Sequence, residues 1–351
     1  MENKIGIEEI KKILPEEWEE KAREYGAFTR SREIKNAEEL LVLILLYVTS
    51  IGSIGGTSSI LKSSETIKLN KNAVYERLLK SEEWIKWLNE NISYKSSLIG
   101  KCPEWLENRR VLACDVTEEE SVDAERTGWH LHYSVDIFTL EAAEIKLTDE
   151  KTGEKLSNFE KIRRGDIIIG DRAYGTIKSI EYAVSQGADY IFRLKAEAFN
   201  LYDANGKKID MKKRIRRMRM SAYKEYSLYY KVGGELKPIH ICIYRKNASE
   251  IQESVSDASE NQKFYNNYVI VATSLTESAD KILELYRLRW QIELLFKRLK
   301  SIFNLDELKA KTEKSIRVWF YCKLLLAAIC ETLDNAGRFS PSCEFSFIAG
   351  K

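Results

Sequence analysis

The pattern of apolar and polar residues changes near residue 100. Before that point apolar residues follow helical spacing, and the run EELLVLILLYVTS predicts a buried helix closed by Gly52 and a loose GSIGGT turn. Asn70 is a predicted N-cap for NAVYERLLK, and Ser81 opens the next predicted helix. Residues 1–100 are therefore predicted to form a bundle of short helices, which fits a DNA-binding helix-turn-helix region and other small bundles about equally well.

From residue 111 onward the pattern becomes that of strands. RVLACDV, GWHLHYSVDIFTL and AAEIKLTD predict three neighbouring strands, the first ending at Asp115. GDIIIGD, ending at Asp171, and DYIFRLK predict two more strands, each preceded by a helix. Three adjacent strands followed by alternating helices and strands indicate an α/β domain over 108–351, with a mixed sheet flanked by helices.

A β-rich insertion is predicted over 200–275, because LKPIHICIYRK and NNYVIVATSL alternate as strands do. About 80 residues are expected to leave the sheet here and return to it, which requires structure of their own. Its segment 207–219 holds eight basic residues and one acidic residue, Asp210. This segment is predicted to face the active cleft and contact DNA phosphates, with a solvated face as the alternative.

Composition excludes several classes of protein. With 44% hydrophobic and 31% charged residues and only 4 Pro in 351, the chain is neither collagen-like nor disordered. Cys114, Cys322 and Cys330 lie in apolar runs, as reduced core thiols do, and the absence of a C-x-x-C pair argues against zinc. His130 and His132 are predicted strand residues, with metal ligation as the minor alternative. The N-terminus lacks a signal-peptide pattern, so the sequence predicts a cytoplasmic protein.

The candidate chemistry begins with carboxylates. Asp115 and Asp171 lie 56 residues apart, each closing an apolar strand. Carboxylates held by rigid strand ends suit a metal-binding pair, although Asp is also a common strand-ending residue. On a predicted helix over 285–300, helical arithmetic places five polar residues on one narrow outward face: Tyr286, Arg289, Glu293, Lys297 and Lys300. A solvated face with the ion pairs Arg289–Glu293 and Glu293–Lys297 is the alternative.

The spacing of these residues and the sequence around them resemble those of a known protein family. Tyr286, Arg289, Glu293 and Lys300 have the spacing Y-(2)-R-(3)-E-(6)-K, which is the signature of a group of bacterial insertion-sequence DDE transposases. GDRAYG around Asp171 is similar to the second carboxylate block of that family, and CDVT is similar to its first. The three blocks span 111–300, so the resemblance covers most of the chain.

The resemblance implies an RNase H-like fold in which Asp115, Asp171 and Glu293 are the catalytic residues and ligands of Mg²⁺, with Mn²⁺ as a possible substitute. It implies two-metal cleavage at insertion-sequence ends and strand transfer into target DNA. It assigns DNA phosphate binding to Tyr286, Arg289, Lys297 and Lys300. The implied partner is double-stranded DNA, as terminal inverted repeats and target, bound by a dimer that is nucleoid-associated.

Two rival functions remain open at this point. One is a catalytically silent transposase relative that binds transposon ends as a regulator, which the intact Asp115, Asp171 and Glu293 argue against. The other is a stand-alone RNase H-like nuclease, which the signature and the N-terminal helices disfavour. The chain also has no Trp between Trp129 and Trp290, where better-known relatives carry a wedge for a flipped base, so hairpin formation is left open.

Overall fold

The structure is a computed structural model that describes residues 6–29, 33–49, 53–63, 68–92, 102–107, 109–119, 129–139, 141–149, 151–251, 259–290, 293 and 312–335. Its helices are α1 (Ile7–Lys11), α2 (Trp18–Glu24), α3 (Ala37–Thr49), α4 (Ile54–Ser63), α5 (Lys71–Lys80), α6 (Glu82–Asn91), α7 (Ile177–Ser185), α8 (Met211–Ile215), α9 (Glu260–Tyr265), α10 (Ala279–Arg287) and α11 (Glu313–Asn335). Its strands are β1 (Val111–Glu119), β2 (Trp129–Asp136), β3 (Ala142–Asp149), β4 (Ile167–Gly170), β5 (Asp189–Arg193), β6 (Tyr223–Val232), β7 (Glu235–Arg245) and β8 (Tyr268–Thr273).

All of these strands form one mixed sheet in the order β3-β2-β1-β4-β5-β8-β7-β6. β1, β2 and β3 pair antiparallel as a meander, whereas β1, β4 and β5 are parallel neighbours. The parallel crossovers require intervening segments, and α7 is the helix between β4 and β5. The predicted RNase H-like mixed sheet flanked by helices is confirmed.

The first strand is longer than its apolar run. β1 continues to Glu119 and pairs with β2 as far as Glu119↔Trp129, so the prediction that it ends at Asp115 is wrong. The reason is that β2 supplies hydrogen-bond partners for the backbone beyond Asp115, which pairs with Tyr133. A strand persists where a neighbour satisfies its backbone, whatever the polarity of its side chains.

The strands of the predicted insertion belong to the main sheet. β8 pairs antiparallel with β5 through Ile191↔Thr273 and Arg193↔Val271, and β7 and β6 extend the sheet further. Without β8, β5 would be an edge strand with a row of unpaired backbone groups. The strand prediction for this segment is thus correct, and the expectation of a separate excursion is wrong.

Each face of the sheet carries its own core, because side chains alternate along a strand. Val111 and Ala113 of β1 pack with the N-terminal helices, α10 and α11. Leu112 and Cys114 pack on the opposite face with α7 and α8. By the same alternation Asp115 lies on the α10–α11 face. Cys114, Cys322 and Cys330 are buried, as predicted for core thiols.

The N-terminal helices agree with the sequence except at one turn. The long apolar run forms α3, and the Asn70 side chain caps α5 by accepting the Ala73 N–H at 2.8 Å. The segment predicted as a loose turn instead begins α4 at Ile54. Its first turn is stabilised because the Ser53 hydroxyl accepts the Gly56 N–H at 2.9 Å.

Contacts with α11 join these helices to the rest of the molecule. The Asn89 side-chain amide donates to the Tyr321 carbonyl at 2.9 Å, and Arg317 forms an ion pair with Glu82 at 2.6 Å. The helices before residue 100 thus share a core with α11, while the predicted domain boundaries and the DNA-binding role of 1–100 stay predictions. No helix within the described ranges combines the length and apolarity needed to cross a membrane.

Candidate active site

The register of two parallel strands brings the first two candidate carboxylates together. β1 and β4 pair as Val111↔Ile167, Leu112↔Ile168 and Ala113↔Ile169. Asp115 and Asp171 lie two positions beyond the last of these pairs, with the same offset along the chain. The ladder therefore directs both residues to the same level of the sheet, at the carboxyl end of β4.

The environment of Asp115 disfavours its charge. Burial raises the pKa of Asp115 from the ordinary 3.8 to about 6, and the negative charges of Asp171 and Glu293 add to this rise. The Val116 N–H, donating to Asp115 Oδ1 at 2.9 Å, and the positive charge of Arg289 oppose it. These influences place Asp115, Asp171, Arg289 and Glu293 in one electrostatic neighbourhood.

The GDRAYG turn holds Asp171 through close backbone packing. Asp171 Oδ1 accepts the Ala173 N–H at 2.8 Å, which fixes the carboxylate against its own turn. A Cβ on Gly170 would lie 2.8 Å from the Cβ of Tyr174, and a Cβ on Gly175 would lie 2.0 Å from the Arg193 carbonyl oxygen. Only glycine fits at these two positions. The turn therefore packs closely against the end of β5, which restricts its movement.

Glu293 is held by an ion pair rather than by a strand. Arg289 Nη2 lies 2.7 Å from Glu293 Oε1, and the side chains are 13% and 47% exposed, respectively. The Arg289 guanidinium also stacks on Tyr286, 5.6 Å from the ring centroid. Among the described residues, no group of three or more His, Cys, Asp or Glu is arranged to hold a metal ion.

The signature residues do not share one continuous outward helix face. α10 ends at Arg287, and the chain turns through the hydrogen bonds Leu288 N–H to Leu285 O and Arg289 N–H to Tyr286 O, both 3.1 Å. Tyr286 is only 6% exposed, so the prediction that it faces outward is wrong. The helical arithmetic failed because it assumed an unbroken α-helix. Leu285 and Leu288 lie on the predicted apolar side, and Lys297 and Lys300 lie outside the described residues.

Sequence reasoning missed a second group of cations. Arg193 ends β5, and burial lowers the pKa of its guanidinium, as do the positive charges of Arg172 and Arg289. Lys246, which follows β7, likewise has its pKa lowered by burial and then by Arg193 and Arg172. Arg172 and Arg193 could have been suspected from their positions after Asp171 and at the end of an apolar strand. Lys246 gives no such signal, because only the sheet order brings β7 near β5.

His130 and His132, predicted as strand residues, both lie in β2. His132 is fully buried with its pKa lowered to about 4, chiefly by burial, and its Nε2 lies 2.8 Å from the Thr148 hydroxyl. His130 Nδ1 lies 2.8 Å from the Thr152 carbonyl oxygen. Both histidines are thus strand residues with local hydrogen bonds.

The basic segment 207–219 contains α8, which buries Met211 and Ile215 and leaves most of its cations exposed. Lys212 Nζ donates to Asn261 Oδ1 at 2.7 Å. Whether this segment contacts DNA is not tested by these contacts, so the assignment stays a prediction.

The donor chemistry of the site fits a divalent cation. Carboxylate oxygens are hard ligands of the kind that Mg²⁺ and Mn²⁺ prefer. Burial, and to a smaller extent the negative charges of Asp171 and Glu293, raises the pKa of Asp115, and a bound dication would favour its ionised form. Asp115 and Asp171 supply two donors directly, and Glu293 is within electrostatic reach of them.

Comparison with known proteins identifies the family of the chain. The sequence model of the transposase DDE domain matches residues 123–329, a range that includes Asp171 and Glu293 and begins after Asp115. The chain is 28% identical over 352 residues to the InsL protein of insertion sequence element IS186A from Escherichia coli strain K12, covering 94% of this chain and 92% of that protein.

Two further relatives extend the similarity. The transposase of insertion sequence element IS421 from Escherichia coli is 28% identical over 358 residues, which cover 94% of this chain and 92% of the relative. The transposase of element IS231F from Bacillus thuringiensis subsp. israelensis is 24% identical over 230 residues, covering 57% of this chain and 48% of the relative. Since the family match spans more than half of the chain, the protein belongs to the transposase DDE domain family.

Proposed function

We propose that the protein is a DNA transposase that cleaves phosphodiester bonds at the ends of an insertion sequence and joins the freed end to target DNA. One observation carries the proposal. In a chain of this family, the β1–β4 register directs Asp115 and Asp171 to one level of the sheet, and Glu293 with Arg289 lies close enough to alter the pKa of Asp115. The substrate is double-stranded DNA, both as terminal repeats and as target, and the protein acts as a dimer on it.

Asp115, Asp171 and Glu293 are assigned as ligands of Mg²⁺, with Mn²⁺ as a substitute of similar preference for oxygen donors. Bound there, the ions would activate the attacking water or 3′-hydroxyl and stabilise the leaving oxygen of an in-line displacement. In that displacement the attacking oxygen forms a bond to phosphorus, the bond from phosphorus to the leaving oxygen breaks, and the leaving oxygen gains a proton.

The residues of the signature would position the DNA. Arg289 has a planar guanidinium that suits phosphate oxygens, and its stacking on Tyr286 restricts its orientation. The buried Tyr286 therefore acts in this proposal by supporting Arg289 as well as by direct phosphate contact. Lys297 and Lys300 are proposed as further phosphate contacts, each acting as a point charge.

The test is to incubate the protein with duplex DNA carrying the ends of its own element and Mg²⁺, and to map the cut strands by sequencing gel. The wild type should cut at the element ends, and the Asp171→Ala variant should not. Glu284→Ala is the matched control, because Glu284 is an exposed carboxylate of α10 that forms no ion pair with another described residue. This control should cut like the wild type.

Binding measured in parallel separates transposase from regulator. A catalytic role predicts that Asp171→Ala binds the element ends about as well as the wild type while cleavage is lost. End-specific binding by the wild type without cleavage in either Mg²⁺ or Mn²⁺ would instead favour the silent regulator.

A further inference from the structure

A cavity of about 610 Å³ lies directly beside the turn that carries Asp171. Its walls are the segment around the 3₁₀ turn Leu156–Asn158, the turn after β4, the first turn of α7 and the segment after β5. Since β4 and β5 are parallel, their carboxyl ends open at the same edge of the sheet, which is where ligands bind in α/β folds. The cavity is on the α7 side, whereas strand alternation puts Asp115 on the α10–α11 side.

The charges of this cavity are unbalanced. Four basic side chains and one acidic side chain line it, namely Lys155, Arg172, Lys178, Lys195 and Glu154. None of the four basic residues forms an ion pair with another described residue. Arg172 Nε is buried and has no hydrogen-bond partner within the described part of the chain. A buried donor left unsatisfied is costly, which points to an anionic ligand that completes the site.

The start of α7 adds to the positive potential. Thr176 caps this nine-residue helix by accepting the Ser179 N–H at 3.2 Å. The preceding backbone N–H groups, of Ile177 and Lys178, have no acceptor among the described residues and belong to the wall of the cavity. A helix N-terminus with free N–H groups attracts phosphate.

The cavity continues toward the basic segment. A second cavity, of about 500 Å³, shares Phe199 and Asn200 with the first. Its charged lining residues are balanced, with Lys208 and Lys212 against Glu197 and Asp210. The two together form a trough from the Asp171 turn to segment 207–219. Phe199 lines both cavities and is partly buried, with part of its side chain packed against the core. A cationic groove with an aromatic side chain is what single DNA strands bind, and the excess of cations lies in the first cavity.

We propose that this trough is a second DNA-binding site, which holds the backbone phosphates of the strand leading away from the cleavage point, with Phe199 stacking on a base. Lys155, Arg172, Lys178 and Lys195 are its phosphate ligands. This inference rests on the proposed function for the identity of the ligand. Its three lysines are not part of the Tyr286–Arg289–Glu293 region, whereas Arg172 also belongs to the cation group of Arg193 and Lys246.

The test compares a triple variant, Lys155→Gln, Lys178→Gln and Lys195→Gln, with a control triple of equal charge change, Lys151→Gln, Arg163→Gln and Lys314→Gln. All six side chains are exposed, so neither triple should disturb the core, and thermal melting verifies this. Affinity for duplex DNA carrying the element end is measured by fluorescence anisotropy over a series of salt concentrations. Ethylation interference then locates the contacted phosphates.

The trough triple should bind DNA at least about tenfold more weakly than the wild type at moderate salt, and its salt slope should fall by about 2 to 3. The control triple should change neither, and Lys→Arg at the three trough positions should retain wild-type binding. Interference near the cut site should disappear only in the trough triple. Phe199→Ala should weaken binding to a single-stranded overhang more than binding to a blunt duplex.

The inference is overturned if the trough triple matches the control triple in affinity, salt slope and interference pattern. It is also overturned if the trough triple loses binding of inorganic pyrophosphate while keeping its affinity for DNA, because the cavity then takes a small anion. Failure of the proposed function looks different. In that case the wild type does not cut DNA, yet the trough triple still loses DNA binding and the interference pattern.

Discussion

Two regions supply the candidate active site, and they position their carboxylates by different physical means. On the strand side, Asp115 and Asp171 are fixed by the β1–β4 ladder and by the packed GDRAYG turn. On the helix side, Glu293 follows the break after α10 and is tied to Arg289 by a partly exposed ion pair. Ladder geometry is rigid, whereas an exposed ion pair contributes only about 0 to 1 kcal/mol.

The strand side and the helix side also differ in the charges that they bring to the site. The strand side buries Asp115 close to Asp171, and burial first, then the nearby negative charges, raise the pKa of Asp115. The helix side brings its own positive charge, which partly offsets that rise. Under the proposed function, a bound dication would stabilise the strand side, and Glu293 on the helix side would exchange its ion pair with Arg289 for the dication.

The largest expected effect is on cleavage. Asp115→Ala, Asp171→Ala and Glu293→Ala should each reduce it by at least about a thousandfold, since groups that act as a unit fail together. Mg²⁺ titration followed by thermal melting tests whether the strand side binds the cation. Mg²⁺ should raise the melting temperature of the wild type and should raise that of Asp171→Ala much less. Equal stabilisation of the two proteins by Mg²⁺ would break the assignment of Asp171 as a ligand.

Removal of Arg289 should have the next largest effect. Arg289→Ala leaves Glu293 without its ion-pair partner and removes the proposed phosphate contact, so we expect end binding and cleavage to fall by about tenfold to a hundredfold. Arg289→Lys keeps the charge but loses the planar fork, and it should recover only part of the activity. Binding by anisotropy and cleavage rates measure both effects. Full activity in Arg289→Ala would show that Glu293 needs no such restraint.

The burial of Asp115 beside other carboxylates predicts a pH-dependent stability. Because the pKa of Asp115 is raised from 3.8 to about 6 in the folded protein, its stabilising contribution is complete below pH 3.8 and is lost as the pH rises through about 6. Asp115→Asn keeps a neutral side chain. In metal-free buffer above pH 6 this variant should be more stable than the wild type by about 2 kcal/mol, allowing for partial solvent screening.

Urea unfolding across that pH range checks this prediction. The difference in the free energy of unfolding between variant and wild type should shrink toward zero as the pH falls below 3.8. A difference that does not change with pH would mean that ionisation of Asp115 does not lower the stability of the folded protein.

The smallest effect concerns the support of Asp171. Gly175→Ala would place a Cβ 2.0 Å from the Arg193 carbonyl oxygen, so the turn must shift, at a cost of about 1–3 kcal/mol. Gly153→Ala is the matched control, because nothing lies within 4 Å of its Cβ position and its stability should be unchanged. Urea denaturation measures the free energy of unfolding of both variants. If the two variants are equally stable, the strand side is less rigid than the packing indicates.

Much of the fold could be predicted from local patterns. The apolar run of α3, the cap at Asn70 and the alternation of Val111 with Leu112 depend on neighbouring residues and therefore show in the sequence. The end of β1 and the path of the insertion could not be predicted in this way. Both depend on backbone partners, β2 for β1 and β5 for β8, that lie far away along the chain.

The candidate site likewise combines features that local sequence predicts with features that only the packed structure decides. The residue types and spacings of Asp115, Asp171, Arg289 and Glu293 were sufficient to indicate carboxylates for a metal and a guanidinium for phosphate. The sequence by itself also predicted the family, and the match of the transposase DDE domain over residues 123–329 confirms it. Only the tertiary structure decided that Tyr286 is buried, that Arg193 and Lys246 join Arg172, and that a basic cavity opens beside Asp171. Burial and electrostatic proximity are properties of elements packed together, and no spacing along one chain segment specifies them.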